Sequence, residues 1–108
     1  MNNSRVHILL IGGAGRMGRA ISDLAMGDSE IDVVGECDLG DPIEAAMKNC
    51  DVAIDFSNPD AICDICAAAS QHRKPLVIGT TGYSEDQRGV IKETARSLPV
   101  VISIARSL

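Results

Sequence analysis

The sequence predicts an α/β fold, a doubly wound parallel sheet with strand order 3-2-1-4-5. Three observations carry the prediction. Five short apolar runs alternate with four stretches of helical periodicity, and no repeat or low-complexity tract interrupts them. The first run, Val6 to Ile11, is continuous, as in a strand buried on both faces. The chain is 45% hydrophobic but only 2% aromatic, so its core is aliphatic, built from Ile, Val, Leu, Ala and Met. Strand-helix-strand alternation implies right-handed crossovers, with helices covering both faces and ligands in the crevice at the carboxyl ends of the strands.

Each element has its own warrant. Val6 to Ile11 is the first strand, stopped by Gly12-Gly13. Met17, Ala20, Ile21, Leu24 and Ala25 recur at helical spacing and predict a core-facing stripe on a helix ending near Gly27-Asp28. Ile31 to Cys37 reads as the second strand. Pro42 to Lys48 has room for only about two turns of helix, with Pro42 suited to the first turn. Val52 to Phe56 is the third strand. Ser57 or Asn58 can cap orphan amides, and Pro59 opens a helix running to about Gln71. Lys74-Pro75 resets the chain before a fourth strand, Leu76 to Ile78, which Gly79 stops. Ser84 and Gln87 are spaced as a capping box, followed by Val90, Ile91, Ala95 and Leu98 on one face. Pro99 ends that helix, and Val100 to Ile102 forms a fifth strand.

At 108 residues the chain is expected to be one domain, 1–108, too small for an enzyme that needs two full lobes. Its net charge of −5 argues against nucleic acid or an anionic membrane as partner, because both are drawn to basic faces. Any phosphate must be held by local groups. The apolar run at Val6 is too short and too quickly broken for a signal peptide or a membrane span, so a cytoplasmic protein is expected. The four cysteines, Cys37, Cys50, Cys63 and Cys66, are read as reduced thiols. Cys63 and Cys66 have CxxC spacing, but they fall in an apolar stripe with Ile62, Ile65 and Ala69 and lack the partners of a zinc site, so packing is the expected role and no metal is assigned.

The first strand runs directly into Gly12-Gly13-Ala14-Gly15-Arg16-Met17-Gly18. Gly13, Gly15 and Gly18 satisfy GxGxxG, and Gly12, Gly15 and Gly18 satisfy GxxGxxG. Missing side chains let the backbone turn tightly and approach a pyrophosphate, whose charge meets free amides and the positive end of the helix dipole. Local amides thus bind phosphate on an acidic protein. Asp38 lies twenty positions beyond Gly18, at the end of the second strand, where it can accept both ribose hydroxyls of an adenosine. No cation stands beside it to receive a 2′-phosphate, so NADH is expected over NADPH, with Arg16 close enough to the phosphates to keep NADPH possible. Gly79-Thr80-Thr81-Gly82, at the end of the fourth strand, offers backbone and hydroxyl groups to a nicotinamide or a carboxylate. His7 and His72 lack positioned partners and are not catalytic candidates. Asp55 is either functional or a cap for the following helix.

Taken in series, Gly12-x-x-Gly15-Arg16-Met17-Gly18, Asp55-Phe56-Ser57-x-Pro59 and Val77-Ile78-Gly79-Thr80-Thr81-Gly82-Tyr83-Ser84 resemble the N-terminal, Rossmann-like domain of dihydrodipicolinate reductase, also called 4-hydroxy-tetrahydrodipicolinate reductase. The resemblance spans essentially the whole chain. It implies hydride transfer from NADH or NADPH to a cyclic dihydropyridine dicarboxylate in diaminopimelate and lysine biosynthesis, usually in a homotetramer. By position, Gly12, Gly13, Ala14, Gly15, Arg16 and Met17 would hold the pyrophosphate and Asp38 the adenosine ribose. Phe56 would lie near the nicotinamide ribose, and Gly79, Thr80 and Thr81 would flank the nicotinamide, Thr81 also touching substrate. The family's His-His, Lys and Ser-Gly-Thr motifs and its tetramerisation sheet belong to a C-terminal domain that this chain is expected to lack, so no catalytic residue is assigned. The stretch between the second and third strands is short for the family. Its Asn-containing segment after the fifth strand is here Ser103-Ile104-Ala105-Arg106-Ser107-Leu108. The alternative from another class is a free-standing dinucleotide-binding or sensing module without catalysis.

Overall fold

The computed structural model describes residues 5–12, 15–38 and 40–102. Five strands form one all-parallel sheet: β1 (Val6–Ile11), β2 (Ile31–Cys37), β3 (Val52–Asp55), β4 (Leu76–Ile78) and β5 (Val100–Ile102). Between them run α1 (Arg16–Met26), α2 (Ile43–Met47), α3 (Ile62–His72), entered through a 3-10 turn at Pro59–Ala61, and α4 (Glu85–Ala95). The doubly wound parallel class is therefore as the sequence predicts. The strand order is β2-β1-β3-β4-β5, in which β3 lies beside β1, where the expected order 3-2-1-4-5 had placed it outside β2.

The charges of β2 account for the difference. Asp32 and Glu36 give this strand a polar, partly solvated character that suits an edge. In β3, by contrast, Ala53 and Asp55 are fully buried, as befits an interior strand. The chain therefore steps from β1 to β2 through α1 and then crosses back over β1 to β3. Because crossovers are right-handed, α1 takes one face of the sheet and α2, α3 and α4 take the other. α2 packs on α3, and α3 on α4.

The main core lies between the sheet and these three helices. Leu9, Ile11, Ala53, Leu76 and Ile78 from the strands meet Met47, Ile62, Ile65, Cys66, Ala69 and Ile91. Ile8 and Leu10, buried on the opposite face by alternation, stand on the side that carries α1. The expected core stripe of α1 is shifted: Gly18 and Ala25 are its buried residues, whereas Met17 and Leu24 are 53% and 77% exposed. Small residues let this helix sit close on the sheet, so the inward face is centred on them and not on the largest side chains. On α4, Thr94 takes the buried place expected of Ala95 and returns its hydroxyl to Val90 O at 2.9 Å. Ser84 and Gln87 form the predicted capping box. Pro42 precedes α2 as its cap instead of entering the first turn. Among the described residues, no helix is long and apolar enough to cross a membrane.

Candidate functional site

Reversal of chain direction at β1 opens a crevice at the carboxyl ends of β1 and β3, the place where sheets of this kind bind ligands. The loop after β1 begins at Gly12, whose N–H donates to Cys37 O at 2.7 Å and so ties it to β2. Gly12 has φ of +86°, and a Cβ there would lie 2.8 Å from the carbonyl carbon and oxygen of Phe56. Both facts demand glycine. Gly13 and Ala14 lie outside the described residues. Gly15 caps α1 without a side-chain bond, and the first turn of α1 holds no acidic residue. Its outward residues there, Arg16 and Met17, are exposed.

Of the other helix starts, α2 follows Pro42 without a side-chain cap but carries Glu44 in its first turn, and the remaining two are closed by side chains. Asn58 Oδ1 accepts from Asp60 N at 2.9 Å before the 3-10 turn, and Ser84 with Gln87 closes α4 behind Glu85 and Asp86. Thus α1 presents amides without intrahelical acceptors, a partial positive charge and an arginine at the mouth of the crevice.

Phe56 joins the two sides of the site. Its backbone lies against Gly12, and its ring occupies the space where a Cβ on Gly79 would project. The loop after β4 is fastened to the end of β3: Gly79 N donates to Asp55 O at 2.8 Å, and Thr80 Oγ1 lies 3.5 Å from the same oxygen. Thr81 is exposed. Between this loop and the glycine loop stand Phe56 and Ser57, because β3 lies beside β1.

On the β2 side, Asp38 follows Cys37 at the strand end, and its N–H donates to Asp41 Oδ2 at 2.8 Å. A pocket runs from there across Ile11 toward Ser57 and Asn58, with Ile43, Ala61 and Ile65 as its apolar wall. Asp38, Asp41, Asp60 and Asp64 all line it. Sequence reasoning did not place Ile43, Ala61 or Asp64 here, because only the crossover of β3 next to β1 brings α2 and α3 over this end of the sheet. The Cys37 thiol is pushed up by burial and by the carboxylates of Asp41 and Asp38, so it stays protonated. Burial likewise pushes up the thiols of Cys50 and Cys66. Cys63 is exposed on the far side of α3. The CxxC pair is therefore split between core and solvent, and the described residues hold no cluster fit for a metal.

Asp55 is fully buried, yet it caps no helix. Its Oδ1 accepts from Ser57 N at 2.9 Å and from Ser57 Oγ at 2.5 Å, a local turn that leaves helix capping to Asn58. Burial pushes its carboxyl up, against the opposing effect of the hydrogen bonds from Ser57 and of the nearby Tyr83 phenol. Tyr83 is pushed up to about 12, first by burial and then by the neighbouring Asp55 charge.

A family model described as dihydrodipicolinate reductase, N-terminus, matches residues 6–105. The chain belongs to the dihydrodipicolinate reductase family. Over 98 residues it is 40% identical to a 4-hydroxy-tetrahydrodipicolinate reductase of Akkermansia muciniphila, covering 91% of this chain and 40% of that protein. A dipicolinate-bound dihydrodipicolinate reductase from Paenisporosarcina sp. TG-14 superposes with a TM-score of 0.76 at 17% identity, covering 92% of this chain and 47% of that one. An NAD binding oxidoreductase from Klebsiella pneumoniae gives a TM-score of 0.76 at 20% identity, over 94% of this chain and 35% of that one. These two likenesses establish the fold. The chain spans less than half the length of the curated dihydrodipicolinate reductases it matches.

Proposed function

We propose that residues 1–108 form the nicotinamide-dinucleotide-binding domain of a dihydrodipicolinate reductase. The observation that carries this reading is the N-terminus of α1, open at the crevice between β1 and β3 and free of acidic residues in its first turn, whereas α4 and the 3-10 turn before α3 are capped by side chains and α2 begins with Glu44 in its first turn. A pyrophosphate fits that donor set, since it offers several acceptors to amides that have none. Gly12, Gly13, Ala14, Gly15, Arg16 and Met17 are its holders, with Gly15 leaving room: a Cβ there meets only Gly12 O at 3.5 Å.

Asp38 accepts the adenosine ribose hydroxyls. The four carboxylates around the adjoining pocket repel a 2′-phosphate, which favours NADH over NADPH. Phe56 shields the nicotinamide ribose, and Gly79, Thr80 and Thr81 flank the ring, with Thr81 exposed toward the substrate. When bound, the dinucleotide supplies the hydride for reduction of a cyclic dihydropyridine dicarboxylate, the step that belongs to diaminopimelate and lysine biosynthesis. The residues of this chain bind and orient; none is assigned as the proton donor, which this reading places in the remaining half of a full-length, cytoplasmic, homotetrameric enzyme.

The test is a fluorescence titration of the chain with NADH and NADPH. Saturable NADH binding is expected, with Gly15→Val at least tenfold weaker while its circular dichroism is unchanged. Unaltered affinity in Gly15→Val would exclude this loop as the phosphate site. NADPH binding tenfold tighter than NADH, about 1.4 kcal/mol in the wrong direction, would overturn the Asp38 assignment.

A further inference from the structure

Asp55 is the polar centre of a row that crosses the sheet. Cys37, Ile11, Asp55, Ile78 and Ile102 stand in register, one from each strand. A carboxylate in such a place needs a cation or a proton, because an unpaired buried charge costs several kcal/mol. The groups that act on its carboxyl are Ser57 and Tyr83, neither of them a cation.

Its second oxygen, Oδ2, is buried with no bonded partner, and so is Tyr83 Oη, although each lies within electrostatic reach of the other. The Thr80 side chain neighbours the same phenol, and its Oγ1 faces Asp55 O at 3.5 Å. Asp55 thus holds Ser57 by its side chain and Gly79 by its peptide oxygen, and has one buried oxygen left without a partner.

We propose that Asp55 is a positioning residue: in its protonated form it donates from Oδ2 to Tyr83 Oη, the phenol donates to Thr80 Oγ1, and this chain of hydroxyls locks the loop after β4 to the loop after β3. The consequence for ligand rests on the dinucleotide reading above, since the locked loop carries Gly79, Thr80 and Thr81. Besides Tyr83, the titratable group facing Asp55 from α3 is Cys66, whose thiol is itself pushed up by burial. The flanking β1 and β4 residues in its row are Ile11 and Ile78. From α4, Arg88 and Lys92 border Tyr83 along a shallow apolar pocket, and Thr94 turns toward Cys66. Deprotonation of Asp55 removes the donor and releases the lock.

Two measurements test this. Carboxyl-carbon NMR of the full chain, with the Asp55 signal assigned by its loss in Asp55→Asn, should give a titration midpoint above the ordinary carboxylate value of about 4. A midpoint at or below that value overturns the proposal. NADH titration of variants then reads the lock: Asp55→Ala and Tyr83→Phe should each weaken binding about fivefold to tenfold, the worth of one hydrogen bond, and the double variant no more than either. Asp55→Asn, which keeps a donor, should stay within about threefold of wild type. Multiplying effects in the double variant, or no effect of Tyr83→Phe, also overturns it. If the wild-type chain fails to bind NADH, the dinucleotide reading falls, whereas the NMR midpoint still judges the protonated carboxyl by itself.

Discussion

Replacing Gly12 with alanine separates the folding duty of the glycine loop from its binding duty. At a φ of +86° an L-residue costs about 1–2 kcal/mol. The added Cβ would lie 2.8 Å from the Phe56 carbonyl carbon and oxygen and 2.9 Å from Ser57 Cα. All three are backbone atoms, so no side chain can swing aside, and the turn after β3 must retreat from the sheet. Overpacking of that kind adds about 1–3 kcal/mol. The sum, about 2–5 kcal/mol, is a large part of the 5–15 kcal/mol that typically holds a domain together, and at this size it lowers the thermal midpoint by about 10–25 °C. Circular-dichroism melts and urea unfolding measure it, with Gly15→Ala as the comparison. Gly15 has φ of −77° and open space, so that variant should lose less than about 1 kcal/mol. A Gly12→Ala midpoint within about 3 °C of wild type would refute the close approach of the β1 and β3 loops.

The remaining predictions concern capping and protons. Ser84→Ala removes the Oγ that accepts from Gln87 N, while the backbone N–H at this position can still donate to Gln87 Oε1, and should cost about 1 kcal/mol in urea unfolding, with the slope unchanged. Tyr83 is the single tyrosine and there is no tryptophan, so tyrosinate absorbance reports it alone: the folded chain should titrate near 12 and the urea-unfolded chain near 10. Both Asp55 and Tyr83 have raised values, so the folded state binds their protons more tightly than the unfolded chain does. Their stabilising contribution is complete below the unfolded values and is lost as pH rises, from about 4 upward for Asp55 and between 10 and about 12 for Tyr83. Urea midpoints across pH should follow this, and Asp55→Asn should flatten the acidic part alone.

Strands were legible because they lie between turn and helix signals: β1 is a continuous apolar run, while β2 carries Asp32 and Glu36 and β5 is largely exposed, yet β1, β2, β4 and β5 begin and end where the sequence predicts. The stripe of α1 misled because periodicity weighs hydrophobicity, whereas the sheet selects small residues, Gly18 and Ala25, for close contact. A signal for the strand order was present in Asp32 and Glu36, since two charges in one strand speak for an edge, but the count of alternating elements does not contain it. The glycine loop could be read from local sequence, its function being local backbone. The partnership of Asp55 with Tyr83 could not, for it joins residues far apart in sequence whose meeting depends on β3 and β4 being neighbours.

Despite the changed strand order, the site keeps its place, and the reason is physical. A binding crevice forms where the chain departs from one strand in one direction and approaches its other side from the opposite one. That condition involves β1 and whichever strand occupies its second flank, without regard to that strand's number. Here β3 fills the flank, so Phe56 and Ser57 become the immediate neighbours of Gly12. Gly79 enters through the Phe56 ring and its bond to the Asp55 carbonyl, and Thr80 faces that same carbonyl. The two halves of the candidate site therefore communicate through the end of β3, and a disturbance at Asp55 or Phe56 must reach both, while one at Asp38 stays on the side of β2 where the carboxylates gather.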